Sequence, residues 1–151
     1  MGMTLWFTRV TPQELDRAIA DPEWAAEYLD GENLPICYLE KSWAGIQFLL
    51  DAAEVGVDLY EDGFLIDQEC TLLGWDDGMV ADAARALSAT PFEALAGHYD
   101  PAKLSAEEIY PHRRVWDDDD LDYLRDHHEE LVRFFVATAA SGGAAIRSFS
   151  F

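Results

Sequence analysis

The chain has 151 residues, half of them hydrophobic, which is the size of one domain with enough apolar material for one packed core. Ten Lys and Arg face thirty Asp and Glu, and the formal charge of −20 repels nucleic-acid phosphates and anionic lipid head groups. The hydrophobic content excludes intrinsic disorder, and no run approaches the ~18 apolar residues of a membrane span.

Residues 3–10, MTLWFTRV, alternate and are rich in β-formers, so they read as an opening strand. They carry neither the basic start nor the long apolar stretch of a secretion signal, and a cytoplasmic location is expected. Thr11-Pro12-Gln13-Glu14 is a capping box with proline at the first helical position, starting a helix to about Ala20. Asp21-Pro22 repeats the device, with Trp24, Ala25, Tyr28 and Leu29 as an apolar stripe ending at Gly31.

Glu40 to Val55 reads as a longer helix with Trp43, Ile46, Leu49, Leu50 and Ala53 on one face, stopped by Gly56. Within 56–76, Phe64-Leu65-Ile66 and Cys70 to Leu73 read as short strands or packed loop. Asp76 or Asp77 caps a helix to about Ser88. Thr90-Pro91-Phe92-Glu93 is a second capping box, and Asp100-Pro101 opens a short helix through Leu104. A long helix from about Asp118 to Ser141 ends at Gly142-Gly143, and Ala144 to Phe151 alternates as a closing strand. First and last strands pairing in a small sheet with helices packed on it is an α+β arrangement, expected as one domain over 1–151.

The nearest approach to a metal motif is a calcium-loop-like run with Asp58, Asp62, Gly63 and Glu69 at positions one, five, six and twelve. Tyr60 removes the carboxylate of position three, and flanking helices are missing, so an acidic surface loop turning at Gly63 is the competing reading. Asp117 to Asp120 stand where a helix N-terminus favours carboxylates. His127 and His128 are adjacent, about 100° apart on a helix, and do not converge as zinc ligands do. Cys37 and Cys70 lie in apolar or acidic surroundings that raise a thiol pKa, and a reduced, buried pair fits an intracellular chain better than a disulfide. No nucleophile elbow, phosphate loop or dinucleotide fingerprint occurs, so no catalytic residue and no cofactor is expected.

Two segments break the acidic trend. Lys41, one of two lysines, precedes the Trp43 helix, and Glu108 to Trp116 gathers Tyr110, His112, Arg113, Arg114 and Trp116. Lys41, Trp43, Tyr110, His112 and Trp116 are thus candidates to line a ligand cleft. Core aromatics beside a structural salt bridge are the alternative.

Met1-Gly2-Met3 before an aromatic strand, Glu40-Lys41-Ser42-Trp43-Ala44-Gly45-Ile46-Gln47-Phe48-Leu49-Leu50, Phe92 to Leu95 leading to Tyr99-Asp100-Pro101, and Glu108-Ile109-Tyr110-Pro111 resemble the YfbM-like family of uncharacterised bacterial proteins. Leu131 to Ala145 continues the likeness, which spans most of the chain; residues 56–76 depart from it. The resemblance implies a compact α+β domain without established catalytic residues or cofactor. Through relatives in toxin–immunity neighbourhoods it also implies an acidic inhibitor of a cationic toxin. Two functions therefore compete: a non-enzymatic module binding a basic protein, and an enzyme or small-ligand binder with a cleft near Lys41, Trp43, Tyr110 and Trp116.

Overall fold

The computed structural model describes residues 2–111 and 115–151. Among these, helices pack on a five-stranded antiparallel sheet that includes the first and last strands. Strand β1 (Thr4–Val10) buries Leu5 and Phe7 on one face and Thr8 and Val10 on the other, as a sheet covered on both faces requires. It pairs with β5 (Ala144–Ser150) along its whole length, from Thr4 opposite Ser150 to Val10 opposite Ala144. The remaining strands are β2 (Ile36–Glu40), β3 (Phe64–Leu65) and β4 (Leu72–Trp75), in the order β2-β1-β5-β4-β3.

Local capping chemistry starts most of the helices. In α1 (Pro12–Ala20) Thr11 Oγ1 accepts from the Glu14 N–H at 3.1 Å while Glu14 Oε1 accepts from the Thr11 N–H at 2.8 Å. Asp21, Asp76 and Asp100 cap α2 (Pro22–Leu29), α4 (Asp77–Ala89) and α6 (Pro101–Ala106) through side-chain oxygens, each worth about 1 kcal/mol.

Three local expectations change. Residues 36–40 form β2, so α3 (Trp43–Ala52) begins later than Glu40; strand pairing with β1 outweighs continuation of the helical pattern. The helix also ends before Gly56. Val55 N–H bonds Leu50 O at 3.0 Å and Glu54 N–H bonds Asp51 O at 3.1 Å, with Glu54 itself in the left-handed conformation at φ 55°. The second capping box does not form. Pro91 precedes α5 (Phe92–Ala96) without a side-chain cap, and Thr90 Oγ1 instead donates to Ala86 O at 3.3 Å, closing α4.

The two sheet faces are covered unequally. On one, Leu5, Phe7, Leu39, Trp75 and Phe149 meet the inward sides of α3, α4, α5, α6 and α7 (Asp120–Ala140) in the main core. On the other, Val10, Ala144 and Ile146 lie under Leu15 and Ala18 of α1 and Ala25 of α2. Gly74 lets this second layer sit close: a Cβ there would stand 2.7 Å from Leu15 Cδ1, so a side chain would make Leu15 shift. Tyr28 Oη donates to Glu14 Oε2 at 2.5 Å and ties α2 to α1, and the Trp24 ring stacks on Tyr28 at 4.8 Å. The α1–α2 corner covers only part of its face. At the far end Ile36 and Tyr38 remain 57% and 44% exposed.

Among the described residues no helix is long and apolar enough to cross a membrane.

Candidate functional site

The aromatic residues singled out by sequence do come together, but mainly as packing. Trp43, at the start of α3, stacks on Tyr60 at 5.6 Å and on Tyr110 at 5.8 Å, and meets the edge of Phe149 at 5.4 Å. Its Nε1–H donates to Met3 O at 3.1 Å, and the Met3 N–H donates to Tyr110 Oη at 2.8 Å. The cluster therefore clamps the backbone entering β1. Lys41 lies against the same corner: a Cβ on Gly2 would stand 2.7 Å from Lys41 Cε. Trp116 is buried, with Nε1–H donating to Ile109 O at 3.2 Å and its ring tip against Gly45 of α3. It fills the core and lines no cleft. His112, with Arg113 and Arg114, lies outside the described residues. Trp43 borders an open groove of about 750 Å³, shared with Gln47, Asp51, Lys103 and Glu107.

Of the calcium-loop-like residues, Asp58 and Asp62 share one turn and Glu69 lies outside it. Asp58 Oδ1 accepts from the N–H groups of Tyr60 and Glu61 at 3.0 and 2.8 Å, and Asp62 Oδ2 accepts from the Asp58 N–H at 2.9 Å. These bonds close a self-contained turn. Glu69 lies in a different groove, beside Asp67, and among the described residues no three His, Cys, Asp or Glu side chains come together as a metal ion requires.

Behind that turn sits a residue the sequence reading passed over. Arg147, on β5, is 1% exposed and donates to Tyr60 O at 2.6 Å and Thr71 O at 3.1 Å, with its guanidinium 5.0 Å from the Tyr60 ring centre. Burial pulls its pKa below the ordinary arginine value, against the opposing pull of Tyr60, Asp67, Cys70 and Asp58. Backbone carbonyls, with their partial charges, take the place of a carboxylate partner. The group pins the 58–71 loop to the sheet.

The open face of the sheet carries the other concentration of chemistry. Trp6 of β1 and Tyr38 of β2 meet edge to face at 6.0 Å, and with Thr4, Ile36 and Ser150 they line a shallow depression of about 440 Å³. Trp6 and Ser150 also border a groove of about 530 Å³ that runs beneath α2 and carries the carboxylates of Glu23, Asp30, Asp67 and Glu69. Asp67 is preset there by the Leu72 N–H at 2.8 Å and the Thr71 hydroxyl. Among the described residues, no lysine or arginine lines either depression.

Residues 1–148 match the family described as a domain of unknown function, DUF1877. The chain belongs to that family. The DUF1877 chain shares its fold with a solved structure described as a protein of unknown function, YfbM, from Escherichia coli. The TM-score is 0.72 at 13% identity, over 97% of this chain and 99% of that one. No curated protein matches the sequence.

The other groups of note in this DUF1877 chain are two cysteines, a buried histidine and an acidic run. Both cysteines are free thiols, but the expected buried pair is half right: Cys37 is buried and Cys70 exposed. Burial, reinforced by the Glu130 charge and opposed by Arg133, pushes the Cys37 thiol up to about 12, so it stays protonated and unreactive at neutral pH. His128 is buried in α7 beside the Phe92 ring, 5.4 Å away, and burial lowers its pKa. In the acidic run, Asp117 Oδ1 accepts from the Asp119 N–H and Asp120 Oδ2 from the Asp117 N–H, so these carboxylates order the turn before α7.

The sequence did not mark the open face. In Thr4-Leu5-Trp6-Phe7-Thr8 the apolar Leu5, Trp6 and Phe7 fall on both sides of the strand, the pattern of a sheet covered on both faces.

Proposed function

We propose that this DUF1877 chain is a non-enzymatic binding module for a basic protein, of immunity-like or regulatory type, acting through the uncovered half of its sheet. The observation that carries this reading is the Trp6–Tyr38–Ile36 surface bordered by a carboxylate-lined groove. Rigid aromatic anchors inside a charged rim are what a protein interface uses for affinity and for orientation, respectively. The net charge of −20 adds long-range steering of a cationic partner. Glu23, Asp30 and Glu69 are exposed, so ion pairs formed there each add little affinity and serve mainly to orient the partner.

The test is fluorescence anisotropy of the labelled chain against a panel of purified basic proteins, with acidic proteins of equal size as controls. Association with a basic protein is expected, weakening steeply with added salt and strongly reduced in the Trp6→Ala/Tyr38→Ala variant. Absence of binding to every basic protein at low salt overturns the reading, as does binding indifferent to Trp6 and Tyr38.

A further inference from the structure

We infer that the groove beneath α2 is a pocket for a guanidinium group, filled by an arginine side chain of the basic partner. The inference rests on the binding-module reading above and names the chemical group that this part of the surface selects.

Three strands build the floor of the groove. Trp6 of β1 stands opposite Ser148 of β5, and Ser148 opposite Leu72 of β4, so the three side chains form one row across the sheet. From α2 come Pro22 and Ala26, one turn apart, together with the carboxylates of Glu23 and Asp30. The segment between β3 and β4 adds Asp67, Glu69 and Thr71. The space of about 530 Å³ falls within the roughly 300–1,000 Å³ of small-ligand pockets and exceeds what a single ion fills.

Ser148 points to a ligand independently of the carboxylates. It is 3% exposed on the groove floor, and among the described residues its hydroxyl makes no hydrogen bond. Buried hydroxyls are nearly always paired, so this one is a donor and acceptor held open for an entering polar group.

The spread of charge decides which group enters. Among the described residues no three carboxylates gather as a metal ion requires, since such an ion draws its ligands onto one point. Carboxylates carried by two separate elements suit a cation whose charge and donors are spread over a plane. Guanidinium has five N–H donors in a rigid fork, is weakly hydrated and packs well on an indole ring, here that of Trp6. A lysine ammonium concentrates its charge and holds its water more strongly. Trp6 and Ser150 line both this groove and the Trp6–Tyr38 depression, so the pocket opens onto the partner's surface and a side chain reaches it from there. A second copy would bring another −20 to the contact, and like charges oppose that pairing.

The test titrates the full isotope-labelled chain with three blocked amino acids, read by NMR. These are N-acetyl-arginine methylamide, its lysine counterpart, and its citrulline counterpart, which keeps the shape of arginine without the charge. The arginine probe is expected to shift the Trp6 indole N–H and the amides of residues 67–72 and 148–150. It should bind about threefold or more tighter than the lysine probe, and the citrulline probe should give no saturable shift. Ser148→Ala removes a hydroxyl that no other group bonds, and Glu23→Gln/Glu69→Gln changes only exposed side chains. Each should weaken the arginine probe about threefold or more and leave thermal unfolding unchanged. Equal response to arginine and lysine, or to arginine and citrulline, overturns the guanidinium pocket, as does an arginine response confined to residues outside the groove. The same variants are then tested against a basic protein that binds through Trp6 and Tyr38. Undiminished binding of that protein overturns the partner's arginine as the occupant, in favour of a free guanidinium compound, and leaves the binding-module reading standing. No response to the arginine probe overturns the pocket alone. Failure of every basic protein to bind overturns both.

Discussion

Two aromatic groups lie on opposite faces of one sheet, and they differ in what surrounds them rather than in composition. On the helical face, Trp43 is held by Tyr60, Tyr110 and Phe149 and hydrogen-bonds Met3. On the open face, Trp6 meets the ring of Tyr38 and borders two open depressions. The first group spends its rings on closing the fold. The second keeps its rings available, and the difference is made by the α1–α2 corner, which stops short of β2. An aromatic cluster becomes a candidate site when the fold leaves it uncovered.

The largest effect should come from breaking the closed side. Trp43→Ala removes two stacked partners, an edge contact and the bond to Met3 O, and should cost about 3 kcal/mol in urea denaturation. If the loss is below about 1 kcal/mol, within the range of ordinary surface changes, the cluster is not closing the fold and the cleft reading of Trp43 gains ground.

Next comes Arg147→Met, which keeps side-chain bulk but removes the guanidinium from the Tyr60 carbonyl and leaves Thr71 O with the Phe149 N–H as its donor. The expected cost is about 2 kcal/mol, accompanied by faster hydrogen exchange through residues 58–71. Arg147→Lys should not restore stability, because an ammonium cannot span both carbonyls as the planar fork does. Restoration by lysine would show that charge alone, not the fork, holds the loop.

How much of this could be read from the residues depended on the range of the interactions involved. The capping box at Thr11 and Glu14, and the caps at Asp21, Asp76 and Asp100, act within one helical turn, and their spacing announces them. The pairing of first and last strands followed from alternation at both ends. Strand β2 was hidden because its partner lies some thirty residues earlier and its own five residues adjoin a helical pattern. Trp116 was indistinguishable from a cleft wall, since only the approach of Ile109 and Gly45 makes it core. Arg147, in a strand between Ile146 and Ser148, gave no hint that carbonyls from 60 to 71 would converge on it.

A smaller effect tests the helical layer through pH. His128 is neutral in the folded chain because burial lowers its pKa below the ordinary 6.5. As pH falls through that ordinary value, the unfolded chain takes up a proton that the folded chain refuses, so stability declines toward the lowered folded value and is level above 6.5. Thermal unfolding at several pH values should show this slope, and His128→Phe should remove it. Every other titrating group is common to the two proteins, so the difference between them isolates the histidine. A slope unchanged in the variant would place the sensitivity elsewhere.

The smallest effect belongs to the open side and carries the comparison furthest. Ile36→Thr and Tyr38→Thr keep β-forming side chains on the β2 edge while removing most of its exposed apolar surface. Neither residue is enclosed by helices, so each change should alter stability by no more than about 0.5 kcal/mol in urea denaturation. The same changes should weaken the binding of a basic partner, because they strip anchors that desolvate only on contact. Stability and binding thus separate on this face, whereas for Trp43 the stability loss dominates. A stability loss of several kcal/mol at Ile36 or Tyr38 would mean that β2 depends on these side chains to pair with β1 at all. The open face would then be a marginal edge of the core, with no surface held in reserve for a partner.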